Sequence, residues 1–327
     1  MRILVLITLA CMFFQSCSKT NTAPASTNPT TDTPGLSVSL YNPVPLDTVI
    51  DWIRIGRVAH NLEDIWFTTK TDGFIASDSS LLVTHDNGTT WSKIPNTANL
   101  LLYNLQFIDD QNGFSQGPSV LGITKDGGAS WAFEHLPNSS VIYFQFISIT
   151  TGFFADMIAG IKKTIDAGNQ WTSVMTNANQ NFPFYFLDSL RGFAMGGGDF
   201  SVSTDGGLNW TLKAAHVTTY DQRYYKMQFL DTLTGYCATP TGLLKTTNGG
   251  NTWINCLAAS TNFMMPYFFD TKNGYCLDRN TIYKTTDGGA NWTLSCKLPT
   301  DSFSGFHFLD MNTGWACTFG GYMLRLK

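Results

Sequence analysis

Few side chains in this sequence are equipped for chemistry. Beyond the N-terminal apolar run the only glutamates are Glu63 and Glu134. Hydrolysis of a glycoside needs two carboxyls flanking a cleft. The available partners are Asp78, Asp156, Asp199 and Asp278, all in turn-like stretches between β-type segments, where solvated turn aspartates are the simpler reading. His60, His85, His135, His216 and His307 are dispersed and lack the spacing of a zinc site. No Gly-x-Ser-x-Gly elbow occurs. Gly196-Gly197-Gly198 lies between strand-like segments rather than ahead of a helix, so it is no phosphate loop. No catalytic set, metal site or cofactor site follows, and the chain reads as non-catalytic.

What repeats is structural. The pattern Ser/Thr-x-Asp-x-Gly-x-x-Trp occurs at Thr84–Trp91, Thr124–Trp131, Thr164–Trp171, Ser203–Trp210 and Thr285–Trp292, around Asp86, Asp126, Asp166, Asp205 and Asp287, and with Asn248 for Asp at Thr246–Trp253. Successive tryptophans are 39 to 43 residues apart, a period that marks a propeller or another stacked array. The Asp accepts backbone N–H groups of its own turn, the Gly permits a positive φ, and the Trp brings an apolar face to pack. A metal role is not expected, because each box offers one carboxylate and calcium needs six or more converging oxygens.

A second element precedes each box. Gly is followed by an aromatic at Gly73, Gly113, Gly152, Gly192, Gly235, Gly274 and Gly314, and a Phe stands six residues before each of these glycines. Between the markers lie short runs rich in β-branched and aromatic residues, four to a repeat. In the fifth repeat they fall at 225–230, 235–239, 243–247 and 252–257. Four antiparallel strands per repeat make a propeller blade. The expected fold is all-β: a seven-bladed propeller of four-stranded antiparallel blades. The last repeat lacks its box and fourth strand. Asp51–Ile55 supplies a candidate, with Trp52 at the place of the box tryptophan. An N-terminal strand closing the last blade leaves no open edge.

The start of the chain reads as an export signal. Arg2 precedes the apolar stretch Ile3–Phe14, too short to span a bilayer, and Ser16-Cys17 resembles a bacterial lipoprotein site. Residues 1–16 are assigned to the signal, 17–36 to a disordered tether and 37–327 to the propeller, with Cys17 the lipidated residue. The expected location is the outer membrane, with attachment only through lipid. The chain has a low charged fraction, 13 %, and a net charge of −4 without a basic block, which excludes nucleic acid as a partner. Cys237, Cys256, Cys276, Cys296 and Cys317 read as small buried apolar residues.

The boxes resemble the Asp-box, or bacterial neuraminidase, repeats of sialidases, glucan hydrolases and sortilin-type receptors. Combined with the Phe-x-Asp and Gly-aromatic elements, they look most like those of a photosystem II assembly and stability factor family. That resemblance implies a seven-bladed propeller that binds other proteins during assembly. Sialidases also need an arginine cluster, whereas the arginines here are scattered at Arg54, Arg57, Arg191, Arg223, Arg279 and Arg325. The candidate binding face is formed by connections between blades, at Tyr103, Tyr143, Phe184, Tyr220, Arg223, Tyr224, Met264 and Met265, side-chain types that enrich protein interfaces. The expected partner is another envelope protein or peptide, met by a monomer. A glycan is the second candidate, bound or hydrolysed on the same face.

Overall fold

Every described element of the computed structural model is a β-strand. It describes residues 51–59, 61–136, 141–156, 160–175, 183–218, 226–258 and 264–327, with the backbone of the short strands Leu36–Ser37 and Thr48–Val49. The signal, Cys17 and most of the tether lie outside the described residues.

Seven antiparallel sheets form seven blades. Blade one is Leu62–Phe67, Gly73–Ser77, Leu81–Thr84 and Thr90–Lys93. In blade five the strands are Met227–Phe229, Gly235–Thr239, Gly242–Thr246 and Ile254–Ala258, close to the segments that patterning predicts. Blade seven takes Phe303–Asp310, Thr313–Thr318 and Tyr322–Leu326 from the C-terminus and Trp52–Arg57 from the N-terminus. Trp52 pairs with Leu326 and Arg57 with Tyr322, which closes the ring as expected. Two short pairings go beyond that expectation. Leu36–Ser37 adds to the outer edge of blade one and Thr48–Val49 to that of blade six.

An aromatic girdle explains the repeated Phe and Gly. In blades one and three the Phe lies directly opposite the Gly six residues on, Phe67 against Gly73 and Phe146 against Gly152. A Cβ on either Gly would meet the ring at 2.6 Å, so only Gly fits. The ring next to each Gly stacks on the Phe of the following blade. Phe114 lies over Phe146 at 3.5 Å, Phe153 over Phe186 at 3.4 Å and Tyr236 over Phe268 at 3.6 Å. The seventh stack is Trp315 on Phe67 at 3.7 Å, which joins the last blade to the first. Box tryptophans meet the same phenylalanines edge-on, as Trp131 does Phe107 at 6.0 Å. In blade seven Trp52 does this to Phe308 at 5.7 Å. Each such pair adds roughly 0.5–1.5 kcal/mol beyond simple burial.

A second ring of contacts lies one residue before each girdle Phe. Gln106, Gln145 and Gln228 each clasp the next blade. Gln145 Nε2 donates to Phe186 O at 2.9 Å while its Oε1 accepts the Phe186 N–H at 2.8 Å. At the same position Tyr267 donates its hydroxyl to Phe308 O at 2.9 Å, and His307 Nδ1 accepts the Phe67 N–H at 3.3 Å. These clasps fix the inner strands of neighbouring blades in register around the axis.

The five described cysteines are free thiols. Cys237, Cys276, Cys296 and Cys317 are fully buried, as small apolar residues would be.

Candidate functional site at the mouth of the central channel

Antiparallel strands sort the loops onto two faces. First-to-second and third-to-fourth turns share one end of each blade, and second-to-third turns share the other with the connections between blades. Backbone bonds tie each set: Gly127 N–H to Gln111 O on the box face, and Leu136 N–H to Ser119 O on the connection face.

The box face is locked by its own residues. Asp126 Oδ1 accepts the Ser130 N–H at 2.9 Å and the Thr124 hydroxyl at 2.8 Å. Thr124 Oγ1 accepts the Gly128 N–H at 2.9 Å, and Trp131 Nε1 donates to Gly128 O. Asp86, Asp166, Asp205 and Asp287 repeat this arrangement. Asn248 keeps it by accepting the Thr252 N–H and donating Nδ2 to the Thr252 hydroxyl. Trp91, Trp171 and Trp210 also donate to the box Gly carbonyl, and Trp292 donates to Cys256 O. Hydrogen bonds, led by those from Ser130, hold the Asp126 carboxyl below the usual range. Among the described residues no group of three or more His, Cys, Asp or Glu side chains is placed to hold a metal.

The connection face gathers different chemistry. Aligning repeats on the girdle Phe puts Asp64, Asn104, Tyr143, Lys226 and Met265 in one column, three residues before it. Lys226 Nζ stands 5.6 Å from the Tyr143 ring centre. Its charge also acts on the Asp64 carboxyl. These residues belong to blades one, three and five, which are not neighbours, so they meet only across the axis. Asp64 Oδ1 accepts the Ile65 N–H at 2.9 Å and Oδ2 the Leu105 N–H at 3.0 Å. Gly305 of blade seven leaves the room: a Cβ there would lie 2.5 Å from Asp64 Oδ1. Burial pushes the Asp64 carboxyl up to about 6, against the pull of Lys226 and the two amides. Beside it, burial and the charges of Asp78 and Asp64 push Glu63 up to about 7. Burial also raises the Tyr143 phenol, with Tyr185 and Asp64 adding to it.

The predicted face is brought together only in part. Tyr143 sits at the axis, edge-on to Phe184 at 5.1 Å. Tyr103 is half-buried and donates its backbone N–H to Gln116 O. Met265 is half-buried, in the same column as Asp64. Met264 and Phe184 require correction. Met264 is 2 % exposed and Phe184 is fully buried, both inside the packing between blades, because inner strands start at these residues and turn their side chains inward. Tyr220, Arg223 and Tyr224 lie outside the described residues.

The turn aspartates are engaged in structure. Asp78 accepts Asn61 Nδ2 at 2.8 Å and Asp199 the His216 N–H at 2.8 Å, while Asp156 and Asp278 are buried. Sequence reasoning missed Asp64 and Lys226, and weighed Glu63 only as one carboxyl of a pair. The constant offset from the Phe was the signal that would have grouped Asp64 with Lys226.

No protein-family model and no curated protein matches the chain. Solved structures do. YCF48 bound to D1 peptide superposes with a TM-score of 0.66 at 18 % identity, over 87 % of this chain and 99 % of that one. YCF48 from Cyanidioschyzon merolae gives 0.64 at 17 % identity, over 85 % and 98 %. The GH74 enzyme of Niastella koreensis gives 0.60 at 14 % identity, over 83 % of this chain but 43 % of its own. At such identities the likeness establishes the propeller fold and leaves function open.

Proposed function

We propose that this chain is an exported, lipid-anchored and non-catalytic propeller that binds another protein or peptide of the cell envelope at its channel mouth. The observation that carries this reading is the meeting of Asp64, Tyr143 and Lys226 from three non-adjacent blades, with Glu63 beside them. Both signs of charge next to ring surface suit recognition of a polypeptide. A propeller of the same fold holds a D1 peptide, which supports a peptide as the ligand class. Both Asp64 oxygens are committed to backbone N–H groups, so Asp64 positions the site rather than moving protons. The N-terminal pattern through Cys17 supports an outer-membrane anchor, and the chain acts as a monomer.

Affinity capture of the intact lipoprotein from gently solubilised cells tests this. A Lys226→Glu/Tyr103→Ala variant is run alongside. An envelope polypeptide recovered with the wild type and lost with the folded variant is expected. Equal recovery by both removes the mouth as the binding site.

One observation favours a second reading. Glu63, held up to about 7 next to Asp78, has the character of a general acid beside a second carboxyl. Hydrolysis of an oligosaccharide by the wild type, abolished in Glu63→Gln, would establish the enzyme. An inactive wild type across such a screen removes it.

A further inference from the structure

The seven repeats differ most sharply on the box face. Blades three, four and five present Ile149, Ile165, Leu190, Leu208 and Leu233 there, each between 50 % and 72 % exposed. Ile165 stands where other boxes carry His85, Lys125 or Thr286, and Leu190 and Leu233 where other turns carry Thr71, Gln111 or Lys272. The Gly206 N–H to Leu190 O bond brings the turns bearing Leu190 and Leu208 together, and Ala167 N–H to Thr150 O does so for those of Ile149 and Ile165. Lys163 of blade three donates to Gly206 O of blade four at 3.2 Å, which seats the two blades' turns side by side. Soluble surfaces rarely leave such a patch without a purpose.

The carboxylates around the patch say what covers it. In the boxes of blades one, two, four and six, both Asp oxygens are engaged: Oδ1 by a backbone N–H, and Oδ2 by the side chain of Thr90, Ser130, Asn209 or Asn291. Box three has Gln170 at that place. Asp166 there accepts the Thr164 hydroxyl and the Gln170 N–H on Oδ1 alone. The turn aspartates repeat the contrast. Asp109, Asp188 and Asp270 have their second oxygen bonded by Asn112, Arg191 and Asn273. Asp231 accepts the Leu233 and Thr234 N–H groups on Oδ1 alone. Among the described residues nothing donates to Oδ2 of Asp166 or of Asp231. Asp166 adjoins Ile165, and Asp231 lies two residues from Leu233, so the two free acceptors flank the leucines of blade four. The cations of the sector are already engaged. Arg191 is paired with Asp188, and Lys163 and Lys245 donate to Gly206 O and Gly288 O. Lys125 and Lys272, on the flanking blades, stand among the more numerous Asp109, Asp110, Asp126, Asp270 and Asp287.

The geometry points to the box face of blades three to five as a docking surface for a polypeptide segment whose aliphatic residues are flanked by lysine or arginine. The aliphatic side chains take its apolar centre, and Asp166 and Asp231 accept its cations. A second copy would set the same carboxylates against each other, and an anionic bilayer would meet them with its headgroups; both oppose like charges. The channel mouth opens on the other face, so this surface does not depend on the reading of the mouth. With both in use, the chain bridges two polypeptides.

Two peptides of equal length, patterned as amphipathic helices, are the probes: one of Leu and Lys, the other of Leu and Glu. Each is titrated with the full chain and followed by fluorescence anisotropy. The Leu/Lys peptide should bind and the Leu/Glu peptide should not. Asp166→Asn/Asp231→Asn should weaken binding about fivefold. This variant keeps the turns, because Asn248 already serves a box through its single carbonyl oxygen and the amides at Asp231 use one oxygen. Ile165→Ser/Leu208→Ser should weaken it about tenfold, and Leu101→Ser, on the connection face, should leave it unchanged. Equal binding of the two peptides, no binding of the Leu/Lys peptide, or unchanged binding in either double variant overturns the proposal. So does a concentration-dependent dimer in sedimentation that Ile165→Ser/Leu208→Ser abolishes, which would give the patch to a second copy.

Discussion

Ala167 occupies a turn position where four of the six boxes place Gly and one places Asn, and its φ is +62°. A left-handed backbone costs an L-residue roughly 1–2 kcal/mol, part of which Gly returns through its larger unfolded-state entropy. Ala167→Gly should therefore stabilise by ~0.5 kcal/mol, read as a higher denaturant midpoint. Gly168→Ala should destabilise clearly by the same measurement, since its φ is +96° and a Cβ would lie 2.5 Å from Leu121. The box was legible in sequence because one short motif contains all its partners. The need for two successive positive φ angles was not, since the motif fixes only the second Gly. Met264 shows the opposite failure. Its type suggests an interface, and only strand register places it in the core.

The clasps carry the predictions that belong to whole strands. Gln145→Leu leaves the Phe186 N–H and carbonyl without their partner and should cost about 2–4 kcal/mol. His307 fills the clasp position that Gln holds in blades two, three and five, and burial holds its imidazole down to about 3 from 6.5. The unfolded chain therefore takes up that proton first, and stability is lost as pH falls from about 6.5 to 3. His307→Gln should keep the bond to the Phe67 N–H and abolish that part of the acid loss. Glu63 and Asp64 act in the opposite sense. Their raised values mean that the folded state takes protons first, so their contribution is full below about pH 4 and is lost as pH rises through 6 to 7. Comparing stability against pH for wild type and His307→Gln separates the two trends. The girdle Phe was legible because it never varies. The clasp column reads Trp, Gln, Gln, Tyr, Gln, Tyr, His, and its role is visible only once the next blade, some forty residues on, stands beside it.

Closure is the property of the whole molecule that the sequence exposed best, because one terminus lacked a strand that the other offered. Trp52 is 1 % exposed, packs on Phe308 and donates to Ser295 Oγ at 3.0 Å. Trp52→Ala should cost ~3–5 kcal/mol, measured by chemical unfolding. The channel mouth was less legible, since Asp64, Tyr143 and Lys226 are some eighty residues apart in steps and share no motif. Only a closed ring brings them across the axis. The claim that this mouth binds a polypeptide is tested most directly by photo-crosslinking in intact cells. A photoreactive residue is placed at Tyr103, near the mouth, and in a second strain at Lys213, on the outer strand of blade four. A discrete adduct with an envelope protein from position 103 and none from position 213 is the predicted result. Adducts from position 213 alone, or none from either site in cells that export the protein normally, would contradict it.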